Sequence, residues 1–124
     1  MSNLLFIGAL FLSLSGYGKA APSFSGKLLS GKRTTLKENL QPGRFLFLSF
    51  WASWCEPCMQ ELADITKFKK ENPQAALDVL TVNVDTSESA SEIKPTMTLK
   101  KFDFPVVLDP NREVFTKFFK EQSL

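Results

Sequence analysis

The 124-residue sequence contains no histidine, and this absence removes a large set of chemistries. Without an imidazole, a single chain cannot assemble a Ser-His-Asp or Cys-His nucleophile, so any general acid or base must be a carboxylate, a lysine, a tyrosine or a thiol. The sequence also lacks a glycine-rich phosphate loop and internal repeats. Its formal net charge of +2 is too small to indicate nucleic-acid binding, and we therefore expect no nucleic-acid partner.

Cysteine is scarce: the only two are Cys55 and Cys58, in the run FWASWCEPC. An apolar, strand-like stretch leads into this run, and a helix is predicted to begin close to Cys55. Backbone N–H groups and the helix dipole favour a thiolate on Cys55, while Cys58 lies about one turn further on, close enough to attack a mixed disulfide. Pro57 fits the first helical turn, where its missing N–H costs nothing. The pair therefore predicts a device for thiol–disulfide exchange.

The cysteine pair could also serve a metal site, a haem attachment or a structural disulfide. A zinc site usually needs four Cys or His ligands, so these two could contribute only to a metal shared between chains. A c-type haem attachment needs a histidine directly after the second cysteine, where Met59 stands. A purely structural disulfide stays open, although so small a ring constrains little of the unfolded chain.

The N-terminal segment has the pattern of a secretory signal. Residues 4–14 are apolar apart from Gly8 and Ser13, a stretch too short to cross a bilayer comfortably, and small residues around Ala20 offer a cleavage site. No lysine or arginine precedes the apolar stretch, and a buried helix or an uncleaved anchor are the alternatives. We expect residues 1–20 to be a signal peptide without lipid modification, and residues 21–124 to be a domain that works outside the cytoplasm.

Strand-like and helix-like patterns alternate through the rest of the chain. In order, they predict a hairpin over residues 24–29 and 33–36, a turn over 37–40, a strand over 45–50, a helix over 55–70, a strand over 77–85, a polar helix cap over 86–91, a helix over 92–102, a strand over 104–109 and a helix from 114 onward. The predicted helix over residues 55–70 has an apolar stripe of Leu62, Ile65 and Phe68. The alternation indicates an α/β fold with a parallel sheet.

The residues around the cysteines resemble those of the thioredoxin-fold family of extracytoplasmic thiol–disulfide oxidoreductases of the TlpA and ResA type, which includes the cytochrome-c-maturation thioredoxins. The residues that carry the match are the run from Phe50 to Cys58 with Glu61, Ala21-Pro22-Ser23-Phe24, Gly26-Lys27, Leu36, Val82-Asn83-Val84-Asp85 and the run from Phe104 to Pro110. The Trp-Cys-x-x-Cys element is the most specific of them, and the later segments, which peroxiredoxins share, are less so. The resemblance covers residues 21–119 and implies a thioredoxin-like three-layer sandwich.

The resemblance also implies a role for each residue of the motif. Cys55 is the exposed nucleophile that attacks a substrate disulfide, and Cys58 resolves the mixed disulfide. The residues implied to shape the docking surface or tune the reduction potential are Trp51, Trp54, Glu56 and Pro57. The implied partners are protein thiols and disulfides, with apocytochrome c as one client, and a membrane-borne or thioredoxin-like electron donor. No metal and no cofactor beyond the Cys55–Cys58 disulfide is expected.

The sequence departs from the family pattern at several positions. Ser49 stands where thioredoxins have a buried acid, so no proton acceptor for Cys58 is visible there. The cis-proline loop, the two antiparallel strands and the last helix have no counterpart before Leu124, and Pro95 is expected to open a helix instead of forming that loop. The strand over residues 45–50 should therefore pair on one side only, with its other edge exposed, covered by the N-terminal hairpin or paired with another chain.

Two other functions remain as alternatives. A peroxiredoxin-type peroxidase would have threonine three residues before the nucleophile, where this chain has Ala52. A redox-inactive remnant or binding domain of the same fold is favoured by the absence of the loop that holds the substrate. Asp85, Asp109 and Glu61 are expected to be turn, cap or surface residues and not metal ligands. Phe115, Phe118 and Phe119 are expected to form core, although without the terminal elements they could form an exposed patch.

Overall fold

The computed structural model describes residues 20–120, so the predicted signal peptide lies outside the described residues except for Ala20. Within this range there are five strands and four α-helices. In chain order they are β1 (Ser25–Leu28), β2 (Arg33–Thr35), α1 (Leu36–Asn39), β3 (Phe45–Trp51), α2 (Glu56–Glu71), β4 (Leu77–Asn83), α3 (Ile93–Lys100), β5 (Val106–Leu108) and α4 (Glu113–Phe119). This order confirms the predicted alternation of strands and helices.

The five strands form one mixed sheet in the order β2-β1-β5-β4-β3. Strands β3, β4 and β5 are parallel, whereas β1 pairs antiparallel with both β2 and β5. The strand that leads to the cysteines is therefore an edge strand, and the pairing predicted for it, first with β4 and then with β5, is confirmed. The N-terminal hairpin lies at the opposite edge of the sheet, so the hairpin does not cover β3.

Helices cover both faces of the sheet and enclose two apolar clusters. The first lies under α2 and α3 and contains Trp51, Met59, Leu62, Val79, Ile93, Phe102, Phe104 and Val106. The second lies under α1 and α4 and contains Phe24, Leu36, Leu80, Val82, Val107 and Val114. Burying apolar surface on both faces is what stabilises a sheet in this three-layer arrangement. The predicted fold class is confirmed.

Phenylalanines attach α4 to the edge strand. The ring of Phe50 in β3 lies 5.2–5.7 Å, centroid to centroid, from the rings of Phe115, Phe118 and Phe119. Phe115 and Phe118 are half-buried and Phe119 is 37% exposed. These rings therefore pack on β3 as expected, but the last of them also leaves apolar surface in solvent.

Some local predictions differ from the structure. Residues predicted as a turn after β2 form α1, because Thr35 and Glu38 make a capping box in which the Thr35 hydroxyl accepts from the Glu38 N–H and the Glu38 carboxylate accepts from the Thr35 N–H. The helix predicted over residues 92–102 is shorter and follows a 3₁₀ turn at Ala90–Glu92. No side chain from residues 86–91 caps it, since the Ser89 hydroxyl donates to Asp85 instead.

The apolar stripe of α2 is also shifted from the predicted one. Leu62 is fully buried and Ile65 is half-buried, but Phe68 is 45% exposed and Met59 takes its place in the core. Pro95 lies in the first turn of α3, and residues 20–120 contain no cis peptide bond. Among the helices that the structure describes, none has the length and apolar character needed to traverse a lipid bilayer.

Candidate redox site

The two cysteines lie where β3 passes into α2, and their sulfurs form a disulfide. Cys55 is the N-cap of α2, and its carbonyl accepts the first helical hydrogen bond, from the Met59 N–H at 3.1 Å. The Cys55 N–H donates to the Ala52 carbonyl at 3.1 Å, which closes the turn after the strand. Both cysteines are half-buried, with Cα atoms 5.3 Å apart, and Cys58 packs against the first apolar cluster. The predicted strand–turn–helix setting of the pair is confirmed.

A buried carboxylate, that of Asp85, fixes the turn before Cys55. The Asp85 side chain accepts from the Ser53 N–H at 2.8 Å and from the Ser53 hydroxyl at 2.6 Å. It also accepts from the Ser89 hydroxyl at 2.7 Å and the Asn83 amide at 2.7 Å. Asp85 was expected to be a turn, cap or surface residue; it lies in the loop after β4, but it is only 2% exposed and links the end of β4 to the cysteine turn.

Hydrogen bonding determines the charge state of Asp85. Burial alone raises the pKa of a carboxyl group, and for Asp85 it is the largest single influence. The bonds from the Ser53 and Ser89 hydroxyls, the Ser53 N–H and the Asn83 amide act together in the opposite direction and hold the pKa of Asp85 below its ordinary value. The group is therefore an anion at neutral pH and a strong acceptor for the turn.

The two tryptophans of the motif occupy different environments. Trp54, immediately before Cys55, is 65% exposed and can contribute contact surface. Trp51 is only 1% exposed, and its ring N–H donates to the Thr81 hydroxyl at 3.1 Å while its ring lies edge-on to Phe104. The prediction that Trp51 shapes the docking surface is therefore wrong: this residue supports the site from within the core.

The Glu61 carboxylate lies beside Ser49, although position 49 itself carries no acid. Ser49 is buried, and its hydroxyl donates to the Glu61 carboxylate at 2.7 Å. Glu61 is on α2, three residues after Cys58, so both side chains lie on the same side of the helix. Residue 49 by itself predicts that no acid is present near Cys58, but α2 places the Glu61 carboxylate next to Ser49. The sequence signal that could have predicted this is the spacing of Glu61, three residues after Cys58 on the same helix.

The remaining motif residues and acids occupy surface or capping positions. Glu56 and Pro57 form the first turn of α2 and are both exposed. Asp109 is buried and accepts from the N–H groups of Val114 and Phe115, so it caps α4 as expected. Across residues 20–120, no three side chains of the metal-binding types come together.

Comparisons with known proteins agree with this geometry. The chain is 36% identical over 93 residues to the thioredoxin-like protein YneN of Bacillus subtilis, covering 74% of this chain and 53% of YneN. It is 33% identical over 116 residues to the thiol-disulfide oxidoreductase ResA of the same organism, covering 94% of this chain and 61% of ResA. The crystal structure of Bacillus subtilis StoA superposes with a TM-score of 0.59 at 27% identity, covering 86% of this chain and 75% of StoA.

These matches establish the thioredoxin-like fold, and they cover only part of each curated relative. The chain spans between about half and three fifths of the length of the two curated relatives. The sequence model of the AhpC/TSA family matches residues 17–122, a range that contains the whole described sheet and the cysteine pair. The chain belongs to the AhpC/TSA family.

Proposed function

We propose that the protein is a thiol–disulfide oxidoreductase that exchanges disulfides with client proteins through Cys55 and Cys58. The observation that carries the proposal is the half-buried disulfide at the N-terminus of α2. Partial exposure allows another sulfur to reach the pair, and the helix N-terminus stabilises the thiolate that must form. The Glu56 carboxylate opposes this effect, but it is exposed and therefore screened by water.

Reduction of a client disulfide then takes two exchange steps. The Cys55 thiolate attacks one client sulfur, the client S–S bond breaks, and the other client sulfur leaves as a thiolate that takes a proton from water. Cys58 then loses its proton and attacks the Cys55 sulfur, which releases the second client thiolate and forms the Cys55–Cys58 disulfide. The client gains two electrons, the pair loses two, and a dithiol donor reduces the pair again. Exchange with a client dithiol is the reverse.

The proton of Cys58 needs an acceptor in the second step, and Glu61 is the carboxylate that fits. It lies three residues after Cys58 on α2, and the Ser49 hydroxyl holds it at 2.7 Å. A carboxylate accepts a proton within hydrogen-bond reach or through one water molecule, whereas the Ser49 hydroxyl is a poor base.

The clients and the compartment are part of the same proposal. The relatives named thiol-disulfide oxidoreductases, together with the signal-like pattern of residues 1–20, favour work on exported proteins outside the cytoplasm. A membrane-borne or thioredoxin-like dithiol would then supply electrons, and apocytochrome c would be one client. A peroxidase is less consistent with the site, because the position three residues before Cys55 is Ala52, which is only 1% exposed and has no hydroxyl to bind a peroxide.

The test is reduction of insulin by dithiothreitol in the presence of the purified full chain. We expect the wild type to accelerate precipitation of the insulin B chain, and Cys55→Ser to return the rate to that of dithiothreitol alone. Cys58→Ser should also lose turnover, but it should accumulate a mixed disulfide between Cys55 and insulin, visible by non-reducing electrophoresis and mass spectrometry.

The two variants are matched controls for each other. A trapped conjugate in Cys55→Ser, instead of in Cys58→Ser, would reverse the roles of the two sulfurs. A wild-type protein that is folded by circular dichroism but gives no acceleration would reject the enzyme and favour a redox-inactive binding domain.

A further inference from the structure

The outer edge of β3 has a row of unpaired backbone groups. The Phe45 N–H donates to Ala76 and the Trp51 carbonyl accepts from Val84, so the odd-numbered residues of β3 direct their backbone groups to β4. The N–H and C=O groups of Leu46, Leu48 and Phe50 consequently point away from the sheet. No hydrogen bond joins them to any residue of the range 20–120.

A groove runs beside this edge and begins at the redox pair. It has a volume of about 530 Å³, and Pro57, between the two cysteines, forms one end while Phe68 forms the other. The other lining residues are Phe47, Gln60, Glu61, Asp64 and Ile65. Phe47 comes from β3 and the rest from α2, so the groove lies between the strand and the helix. A chain lying along β3 would therefore pass directly from the groove to the cysteines.

The charges of the groove select between occupants. Its two ionisable residues, Glu61 and Asp64, are both acidic, and no lysine or arginine lines it. In an antiparallel pair of two β3 strands, the groove of one copy would face the groove of the other. Four carboxylates would then gather near the two-fold axis, an arrangement that like-charge repulsion disfavours. A separate strand with lysine or arginine side chains would instead find opposite charge.

We propose that the edge of β3 and the acidic groove bind an extended, basic segment of a client polypeptide as an additional strand. Every second side chain of this segment enters the groove and pairs with Glu61 or Asp64. The intervening side chains lie beside Leu46 and Leu48 on the other face of the sheet. Because β3 ends four residues before Cys55, a cysteine at the end of the bound segment lies next to the redox pair. That last point rests on the proposed function, whereas strand addition does not.

A cysteine-free peptide tests strand addition separately from redox chemistry. The probe is an acetylated, fluorescein-labelled peptide of seven alternating lysine and valine residues, which matches the length of β3. We expect saturable binding by fluorescence anisotropy and slower hydrogen exchange at the amides of Leu46, Leu48 and Phe50. The matched control peptide carries N-methyl groups on alternate amides, in two versions that block the donors of one edge of the peptide strand or of the other. The version that blocks the edge-facing donors should lose binding.

Charge exchange tests the groove itself. Replacing lysine by glutamate in the peptide should weaken its binding to the wild type. Asp64→Lys should instead bind the glutamate peptide more tightly than the lysine peptide, by about two- to fivefold, which is the range for an exposed ion pair. Asp64 is exposed and, within residues 20–120, its carboxylate accepts only from Gln60, so this change should leave the fold intact.

Several results would overturn the proposal. Equal binding of both N-methylated peptides, or unchanged exchange at the three amides, would exclude strand addition. Protection of these amides without peptide, in a species of twice the chain mass, would assign the edge to a second copy. The same protection at the mass of one chain would assign it to a segment of the chain itself. Peptide binding in a protein that fails the insulin assay would instead reject the oxidoreductase and leave strand addition standing.

Discussion

At the level of single residues, Asp85 connects the sheet to the chemistry. It follows β4, yet most of its hydrogen bonds go to Ser53 and Ser89, residues in two different loops. The turn that contains Ser53 ends at Cys55, so a change at Asp85 is expected to reach the sulfur through the backbone. The residue is therefore a positioning residue, since its hydrogen bonds within residues 20–120 go to Ser53, Asn83 and Ser89 and not to either cysteine.

We predict that Asp85→Asn lowers the free energy of unfolding at pH 7 by roughly 1–3 kcal/mol, because the amide nitrogen would face at least one buried donor. The folded-state pKa of Asp85 lies below its ordinary value of 3.8. Its contribution is therefore present above about pH 4 and is lost as the pH falls through the folded-state value. Urea unfolding at pH 7 and near pH 3 should show the difference between variant and wild type shrinking in acid.

Asp103→Asn is the matched control, since Asp103 is exposed and its carboxylate makes no hydrogen bond or ion pair within residues 20–120. Its free energy of unfolding should stay within about 0.5 kcal/mol of the wild type. A loss in Asp85→Asn that stays the same from pH 7 to pH 3 would show that its carboxylate charge is not what stabilises the turn.

The sequence predicts single residues well where the chemistry is local. The strand–turn–helix setting of the Cys-x-x-Cys pair is visible in neighbouring residues, whereas the Asp85 network joins positions 32 residues apart. The same limit applies to Ser49, whose partner Glu61 comes from another element. Trp51 could not be distinguished from Trp54 by residue type, because the difference lies in their setting: Trp51 ends β3 with its indole in the core, whereas Trp54 lies in the turn that follows.

At the level of elements, β1 depends on a residue without a side chain. Gly26 is buried in the middle of β1, next to β5, and a Cβ built on it would lie 2.5 Å from Cγ1 of Val107. Val107 is fully buried in the second apolar cluster and has little room to move. The close approach of the hairpin to the parallel strands therefore requires glycine at this position.

We predict that Gly26→Ala lowers the free energy of unfolding by roughly 1–3 kcal/mol, the usual cost of overpacking a core. A double-mutant cycle with Val107→Ala, measured by urea unfolding, tests the cause. The added methyl group should cost less when the Val107 branch is absent, because the clash is then relieved. Equal costs in both backgrounds would mean that the methyl group does not contact Val107.

The strands and the longer helices could be predicted from their apolar patterns, but the short helical elements could not. Residues 37–40 were predicted as a turn because four residues are too few for a periodic signal, and α1 forms through the capping box of Thr35 and Glu38. Phe68 fits the apolar stripe of α2, yet it is 45% exposed because β3, beneath that side of the helix, has no further strand beside it.

At the level of the whole molecule, several exposed apolar side chains lie on β3 or beside it. Phe45 is 78% exposed, Phe68 and Phe119 are 45% and 37% exposed, and Phe47 lines the groove. Lysine, proline and bulges are the usual protection of edge strands, and β3 contains none of them. The acidic groove disfavours a symmetric pairing of the β3 strands of two copies. A less regular contact between copies through Phe45 does not involve the groove.

We predict that Phe45→Lys slows aggregation of the protein at 37 °C while changing the free energy of unfolding by less than about 0.5 kcal/mol. Static light scattering and urea unfolding are the measurements. Leu99→Lys is the matched control, because Leu99 is 79% exposed but lies on α3. Equal slowing by the two variants would attribute aggregation to total exposed apolar surface and not to the edge of β3.

The overall topology followed from the sequence because parallel strands are joined by helices and the three parallel strands are strongly apolar. The pairing of β3 with β4, and of β4 with β5, was predicted in that order. The place of the hairpin was not, because β1 and β2 are short and their pattern does not indicate which edge of the sheet they join. In the structure, β1 joins the sheet through antiparallel pairing of Lys27 and Leu28 with Leu108 and Val107, where Gly26 allows the close approach.

The different positions of the two tryptophans give the molecule two intrinsic optical reporters. Trp51 is enclosed by protein, so its emission is expected to report whether the fold is intact, while Trp54 is 65% exposed and precedes Cys55 in the chain, so its emission is expected to change when the disulfide opens. Unfolding and reduction should therefore each change the intrinsic fluorescence of an unlabelled sample.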